Sequence, residues 1–222
     1  MIRAVIIDFD DTLCLTEAAC FELENEVLVN MGRAPQTRAM HKATWGKPLF
    51  EVIAERSPGI DIALFRKLLV PAHAVWIEEK RIDVIPPENM RALDSLIADG
   101  KQLFILTSRT HDEIMHLLQE DHDLTTRVKT IYYRDIMPFH KPDPRAFETL
   151  LQENDLLADE CIYVGDAPSD AEATKGAHMH FLACLEAGIR TKQDFRAYAV
   201  DGFAERFTDV PKTVRAIEAK LQ

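Results

Sequence analysis

The stretch VIIDFDDTL (residues 5–13) joins an apolar strand to a cluster of acids. Residues 2–9 are nearly all apolar, the pattern of a strand buried on both faces of a parallel sheet. The run ends in three carboxylates within four positions, Asp8, Asp10 and Asp11. Like charges this close repel one another and raise each other's pKa. The stretch therefore predicts that a positive charge balances the acids at the end of this strand.

Secondary-structure patterns divide the rest of the chain into two kinds of segment. Residues 15–85 have helical apolar spacing and no evident strand, with predicted helices at residues 17–28, 36–43, 49–55 and 61–79. After a proline pair, predicted helices at residues 88–98, 111–119, 144–151 and 170–176 alternate with predicted strands at residues 102–106, 128–133, 161–164 and 178–184. This alternation implies right-handed crossovers and a parallel sheet. We predict an α/β fold with a Rossmann-like core of residues 1–14 and 86–222 and an inserted all-helical domain of residues 15–85.

Composition and charge argue against several classes of protein. Lys and Arg total 26 against 37 Asp and Glu, a net charge of −11. Nucleic acid is therefore not an expected partner, because phosphate binding needs a concentrated basic face. No stretch approaches ~20 apolar residues, so no membrane span is predicted. The four cysteines form no Cys-x-x-Cys pair and no signal peptide is evident, which favours the cytoplasm.

Polar side chains follow the first four predicted strands. Because ligands bind at the carboxyl ends of parallel strands, these positions are the candidate site. After the later strands they read Thr107-Ser108-Arg109, His140-Lys141-Pro142-Asp143-Pro144, and Gly165-Asp166-Ala167-Pro168-Ser169-Asp170. Lys141 is the one evident counter-charge to the acids, so the set demands a cation. Oxygen ligands suit Mg²⁺.

This set, in this order, resembles the haloacid dehalogenase-like (HAD) superfamily of phosphohydrolases. The resemblance rests on four motifs at predicted strand ends, namely Asp8-x-Asp10-x-Thr12, Thr107, Lys141, and Gly165-Asp166-x-x-x-Asp170. The helical insertion is similar to the cap of the phosphoglycolate phosphatase and β-phosphoglucomutase-like branch. One departure is Asp11, where the family most often has glycine. We interpret Asp11 as a solvated turn residue, since Asp tolerates unusual φ values better than most side chains.

The resemblance implies a role for each motif. Asp8 would attack phosphorus and form an aspartyl-phosphate. Asp10 would protonate the leaving oxygen and then deprotonate the attacking water. Lys141 and a hydroxyl, Thr107 in preference to Ser108, would hold the phosphate oxygens.

The resemblance also implies a magnesium site. Its ligands would be the Asp8 carboxylate, the Asp10 backbone carbonyl and Asp166. Asp170 would be either a further ligand or a residue behind the ligands. Two cations, Lys47 and Arg109, are candidates for contacts with an anionic substrate, and the alternative for each is a solvated surface side chain.

The expected function is a Mg²⁺-dependent phosphatase of the cytoplasm that hydrolyses a small phosphorylated metabolite. Two alternatives stay open from the sequence. A phosphosugar mutase would use the same core but pass the phosphoryl group to a bound sugar. A catalytically idle protein that binds phosphometabolites would have no use for a nucleophile. The sequence leaves the physiological substrate and the oligomeric state open.

Overall fold

A computed structural model describes residues 1–47 and 49–221, so Gln222, the last residue of the predicted core, lies outside the described residues. The chain forms two compact units, Met1–Cys14 with Ile85–Gln222, and Leu15–Val84. That these units act as a catalytic core and a cap stays a prediction. Among the described residues, no helix combines the length and the apolar character that crossing a bilayer would require.

The first unit is built on a six-stranded sheet in which every neighbouring pair is parallel. The strands are β1 Ala4–Ile7, β2 Gln102–Leu106, β3 Thr130–Tyr132, β4 Cys161–Gly165, β5 His180–Cys184 and β6 Gly202–Ala204. Their order across the sheet is β3-β2-β1-β4-β5-β6. The prediction of an α/β fold with a parallel sheet is confirmed. The sixth strand was not predicted because it is only three residues long and begins with glycine.

The register of the central strands brings their carboxyl ends level. Ile7, the last residue of β1, pairs with Ile105 of β2 on one side and Val164 of β4 on the other. The residues that follow these three strands therefore emerge at one edge of the sheet. This is the edge at which open parallel sheets bind ligands.

Strand β1 is buried on both faces, as its apolar run predicts. Val5 and Ile7 pack into one apolar cluster, and Ala4 and Ile6 pack into a second. All four residues are fully buried. Since side chains alternate across a strand, the two clusters lie on opposite faces of the sheet.

Helices cover the sheet in the first unit. They are α5 Pro87–Ala98, α6 His111–Ile114, α7 Glu148–Glu153, α8 Pro168–Gly176 and α9 Val210–Leu221, with 3₁₀ turns at Met115–Leu118, Arg134–Ile136, Pro144–Phe147, Ala158–Glu160, Lys192–Phe195 and Phe207–Asp209. The predicted helices at residues 111–119 and 144–151 are thus each part α-helix and part 3₁₀. The last helix was not predicted.

In its described part the second unit contains helices and no strand, as predicted. Its helices are α1 Glu17–Asn30, α2 Arg38–Thr44, α3 Leu49–Arg56 and α4 Ile62–Glu78. They enclose two small apolar clusters, one around Leu28, Ile53 and Phe65 and the other around Leu23 and Trp76. Asp61 begins α4 as an N-cap, with its side chain accepting from the Leu64 N–H at 3.0 Å.

Candidate active site

The acidic stretch after β1 forms a tight turn that holds Asp8 at the end of the strand. The Asp8 N–H donates to the Val164 carbonyl at 2.9 Å, and the Asp8 side chain accepts from the Phe9 N–H at 2.8 Å. The Leu13 and Cys14 N–H groups both donate to the Phe9 carbonyl, at 3.1 and 3.0 Å. The turn is therefore closed by its own backbone, and it keeps Asp8 beside the neighbouring strand β4.

Asp11 corrects one expectation. Its φ of 53° lies in the left-handed region, which agrees with the unusual φ expected at this position. Its side chain is not solvated, however, because Asp11 is only 1% exposed. The solvated interpretation is wrong because the turn folds back on itself, with the Asp11 N–H donating to the Cys14 carbonyl at 2.7 Å.

Three acids from the ends of two neighbouring strands meet at this edge: Asp8, Asp166 and Asp170. One carboxylate oxygen from each lies within 4.8 Å of the others. Gly165 permits this approach, since a Cβ at that position would meet Asp170 Oδ2 at 2.4 Å. A site built only from carboxylate oxygens fits a hard divalent cation such as Mg²⁺.

Asp170 also makes two contacts within the protein. It lies in the first turn of α8, where Oδ2 accepts from the Ala167 N–H at 3.0 Å. Its Oδ1 lies 2.8 Å from Lys141 Nζ. Both Asp8 oxygens also have protein partners, so these contacts do not separate the two predicted places of Asp170, among the metal ligands or behind them.

Lys141 is held by three acceptors. Its Nζ lies 2.9 Å from Asp8 Oδ2, 2.8 Å from Asp170 Oδ1 and 2.6 Å from the Tyr163 hydroxyl. Tyr163 in turn donates to the Leu106 carbonyl at 2.9 Å. An ammonium group has three N–H donors, so this set matches its full capacity. Tyr163 was not predicted, although a hydroxyl in the middle of a buried apolar strand was a signal for it.

The electrostatics of the cluster favour an added positive charge. Burial raises the pKa of Asp8 to about 7, and repulsion from Asp170 and Asp10 adds to the effect while Lys141 opposes it. Burial, with repulsion from Asp170, Asp8 and Asp11, holds the pKa of Asp166 well above its usual range. Burial opposes the charge on Lys141, but attraction from Asp170 and Asp8 outweighs it and holds the Lys141 pKa well above its usual range. One ammonium among three carboxylates leaves a net negative charge that a divalent cation would balance.

Thr107 and Ser108, the candidates for phosphate binding, occupy different environments after β2. Thr107 is buried, its N–H donates to the Tyr132 carbonyl at 3.0 Å, and its hydroxyl accepts from the Arg109 N–H at 3.2 Å. Ser108 is exposed. Thr107 follows β2 directly, and β2 is the neighbour of β1, which Asp8 follows. A phosphate-binding role for either hydroxyl stays a prediction.

Arg109 has a partner that the sequence did not indicate. Its Nη2 lies 2.7 Å from Asp10 Oδ1, and its Nε lies 3.0 Å from Asp10 Oδ2. The Arg109 side chain is 11% exposed, so the alternative of a solvated surface arginine is wrong. Pairing with an acid outweighs solvation here because the fork of N–H donors matches a carboxylate in shape and charge.

Lys47, the other candidate substrate contact, belongs to the second unit. It follows α2 and is exposed, and its N–H donates to the Thr44 carbonyl at 3.3 Å. Its assignment stays a prediction.

Comparison with known proteins agrees with this architecture. Residues 5–184 match the family model described as haloacid dehalogenase-like hydrolase. A phosphoglycolate phosphatase of Xylella fastidiosa strain 9a5c is 27% identical, and the match covers 86% of this chain and 83% of that protein. A phosphoglycolate phosphatase of Photobacterium profundum is 28% identical over 96% of both chains.

Solved structures share the fold. CbbY from Rhodobacter sphaeroides, crystallised with phosphate, matches with a TM-score of 0.75 and 19% identity over 95% of this chain and 96% of that one. A haloacid dehalogenase-like family hydrolase from Streptococcus pneumoniae matches with a TM-score of 0.76 and 18% identity over 100% of this chain and 99% of that one. The family model covers most of the chain, including the acids that follow β1 and β4. This protein belongs to the haloacid dehalogenase-like hydrolase family.

Proposed function

We propose that this hydrolase is a Mg²⁺-dependent phosphatase that cleaves a small phosphate monoester through an aspartyl-phosphate on Asp8. The observation that carries the proposal is the position of the Asp8 carboxylate, which lies among two further acids and is bound by Lys141 Nζ at 2.9 Å. A carboxylate so placed has a neighbouring cation to stabilise charge on a transferred phosphoryl group.

The first step transfers the phosphoryl group to the protein. One Asp8 oxygen bonds to phosphorus as the bond between phosphorus and the leaving oxygen breaks, and the Asp10 carboxyl gives its proton to that oxygen. In the second step the oxygen of a water attacks phosphorus. Asp10 takes the proton from that water, the bond to Asp8 breaks, and inorganic phosphate leaves. Asp8 and Asp10 return to their starting states.

The side chains around Asp8 supply the rest of the chemistry. Asp8, Asp166 and the Asp10 backbone carbonyl would hold Mg²⁺, with Asp170 as a further ligand or behind them. When bound, the ion balances the acids and neutralises charge on the phosphate. Lys141 would exchange one of its three present acceptors for a non-bridging oxygen of the phosphate, and Thr107 would bind another.

The substrate we propose is a small anionic phosphate monoester. The proteins matched at 26–28% identity over most of this chain are named phosphoglycolate phosphatases, which makes 2-phosphoglycolate the first compound to test. Hydrolysis needs an acid at the position of Asp10, because a poor leaving group must be protonated as it departs.

A substrate panel with trapping of the intermediate tests this function. The purified protein with Mg²⁺ is assayed for phosphate release from 2-phosphoglycolate, hexose phosphates and p-nitrophenyl phosphate, with Asp8→Asn as the control. We expect the parent protein to turn over at least one compound. When the reaction is quenched with hydroxylamine, which reacts with an aspartyl-phosphate, we expect the parent protein to be labelled and Asp8→Asn to remain unlabelled. Transfer to a sugar without phosphate release would instead identify a mutase. The proposal would be contradicted if no compound were turned over and no compound led to labelling of the protein.

A further inference from the structure

We infer that Arg109 is a positioning residue for the acid/base step and holds the Asp10 carboxylate in place. The inference rests on the proposed function, in which Asp10 moves the proton. It assigns to Arg109 a role that differs from contact with the substrate.

The contact between Arg109 and Asp10 is a fork. Arg109 Nη2 lies 2.7 Å from Asp10 Oδ1, and Arg109 Nε lies 3.2 and 3.0 Å from the two Asp10 oxygens. A fork fixes the plane of the carboxylate as well as its distance, which a single ammonium cannot do. The Asp10 side chain is 30% exposed. An acid with this much access to solvent has other rotamers to adopt, so an anchor restricts it.

Another N–H group of the guanidinium also has a partner. Arg109 Nη1 donates to the Glu113 carbonyl at 3.4 Å, and the guanidinium carbon lies 4.9 Å from the centre of the Phe9 ring. These contacts come from the loop after β1 and from helix α6. Contact with a substrate phosphate through the N–H groups that now hold Asp10 would require Arg109 to release Asp10. The geometry therefore favours an arginine that acts on the reaction through Asp10.

The position of Arg109 in the sheet explains how the contact arises. Strand β1 pairs directly with β2 in parallel register, so the residues just past the two strands are neighbours in space. Asp10 lies three residues after β1, and Arg109 lies three residues after β2. The Arg109 N–H is itself bound to the Thr107 hydroxyl at 3.2 Å, which fixes the backbone from which the side chain extends.

A series of leaving groups distinguishes positioning from substrate contact. General acid catalysis matters most when the leaving group is a strong base, and kcat/KM reports the step in which it departs. If Arg109 positions Asp10, Arg109→Gln lowers kcat/KM by about 10–100-fold for phenyl phosphate, part of the 10²–10⁴ that such catalysis supplies. For p-nitrophenyl phosphate, whose leaving group needs little protonation, the loss stays within about threefold. A substrate contact would lower both values equally.

Two control variants accompany Arg109→Gln: one at a second arginine–aspartate pair, and one that keeps the positive charge of Arg109. Arg127 forms a similar fork with Asp94, at 2.7 and 3.3 Å, on an exposed part of the same unit. Arg127→Gln should leave the ratio of the two kcat/KM values unchanged. Arg109→Lys keeps the charge but loses the fork, and should fall between the parent and Arg109→Gln. If Arg109→Gln does not fold, Arg109→Lys decides the question by the same ratio.

A double variant completes the test. Asp10→Asn alone should show the same dependence on leaving group, and adding Arg109→Gln to it should change kcat/KM less than about twofold, because the group that Arg109 positions is gone. Equal losses for both substrates, a gain for phenyl phosphate, or a further loss in the Asp10→Asn background would each overturn the inference. If instead Asp10→Asn itself leaves both values at the parent level, the proposed acid/base function of Asp10 fails.

Discussion

The two compact units each contain a largely buried group of charged side chains, and the two groups differ in their balance of charge. The core acid cluster, formed by Asp8, Asp166, Asp170 and Lys141, sets three carboxylates against one ammonium. The helical-unit network sets two carboxylates against two guanidinium groups and an imidazole; its members are Glu17, Glu24, Arg38, His41 and Arg56.

The network in the helical unit satisfies itself. Glu24 Oε2 accepts from Arg56 Nη1 at 2.8 Å and from Gln36 Nε2 at 2.7 Å. His41 lies between the two acids, with its Nδ1 2.7 Å from Glu17 Oε1 and its Nε2 3.3 Å from Glu24 Oε1. Every carboxylate here has a cationic partner, so no ligand is needed to balance it. It is therefore the imbalance of buried charge, rather than buried charge itself, that distinguishes the candidate active site from the helical-unit network.

The largest expected effect is on catalysis and comes from removing one charge of the core acid cluster. Asp8→Asn should lower kcat by at least about 10³-fold, because an amide is a poor nucleophile of similar shape. The free energy of unfolding without metal should stay the same or rise, since the change relieves repulsion with Asp170 and Asp166. Steady-state kinetics and denaturant unfolding measure the two quantities. Parent-level turnover would rule out Asp8 as the nucleophile.

The same chemical change in the helical-unit network should have the opposite effect on stability. Glu24→Gln removes the charge that Arg56 and His41 face and turns an amide N–H toward donors. We expect the free energy of unfolding to fall by about 3–5 kcal/mol, the range for breaking a buried ion pair. Denaturant unfolding of Glu24→Gln beside Asp8→Asn tests the comparison directly. A stability equal to that of the parent would mean that the network is not balanced by ion pairing.

Magnesium and pH should both change the stability of the folded state through the core acid cluster. Burial is the main cause that raises the pKa of Asp8 from 3.8 to about 7 in the folded state. Between these two pH values the folded state therefore holds a proton that the unfolded state has lost. Without metal, this contribution to stability is fully present below about pH 4 and is lost as the pH rises to about 7. The raised pKa of Asp166 acts in the same direction.

Mg²⁺ should offset this loss, because it binds the ionised acids. At 100 times its dissociation constant it should add about 2.7 kcal/mol, or about 5–10 °C in Tm. The Tm shift should be larger at pH 8 than at pH 5. In a separate assay of activity, Ca²⁺ at equal concentration should support turnover less well than Mg²⁺, because Ca²⁺ accepts looser coordination geometry. Thermal unfolding of the parent and Asp8→Asn at both pH values measures the effect. An equal shift at both pH values would exclude these acids as its source.

The sequence predicted the parts of the fold that depend on strong local patterns. Strand β2 was predicted at its observed bounds, and β1 was correctly expected to be buried on both faces. Strand β6 lacks such a pattern, being short and flanked by Asp201 and Glu205. Helix α9 was missed although Val210, Val214 and Ile217 have helical spacing and are buried.

The part of the site that the sequence could predict consists of residues that directly follow the ends of strands. Register brings such residues together, which is why the sequence could place Asp8 near Asp166. Contacts that depend on side-chain direction were not predictable in this way. The fork between Arg109 and Asp10 and the burial of Asp11 both depend on how a turn folds back, and the spacing of residues does not encode that.

The smallest expected effect concerns Tyr163, which joins the core acid cluster through a hydroxyl rather than a charge. Tyr163→Phe removes one of the three acceptors of Lys141 Nζ, so the ammonium becomes less well fixed against Asp8. We expect kcat to fall about 3–10-fold and the free energy of unfolding to fall by about 1 kcal/mol, the typical value for one hydrogen bond. Tyr132→Phe is the matched control, because the Tyr132 hydroxyl donates to Glu153 at 2.8 Å in the same unit without touching the cluster. It should cost similar stability and leave kcat unchanged. Equal kcat values for the two variants would show that Lys141 is held well enough by its two carboxylates, and that Tyr163 serves only to satisfy the Leu106 carbonyl.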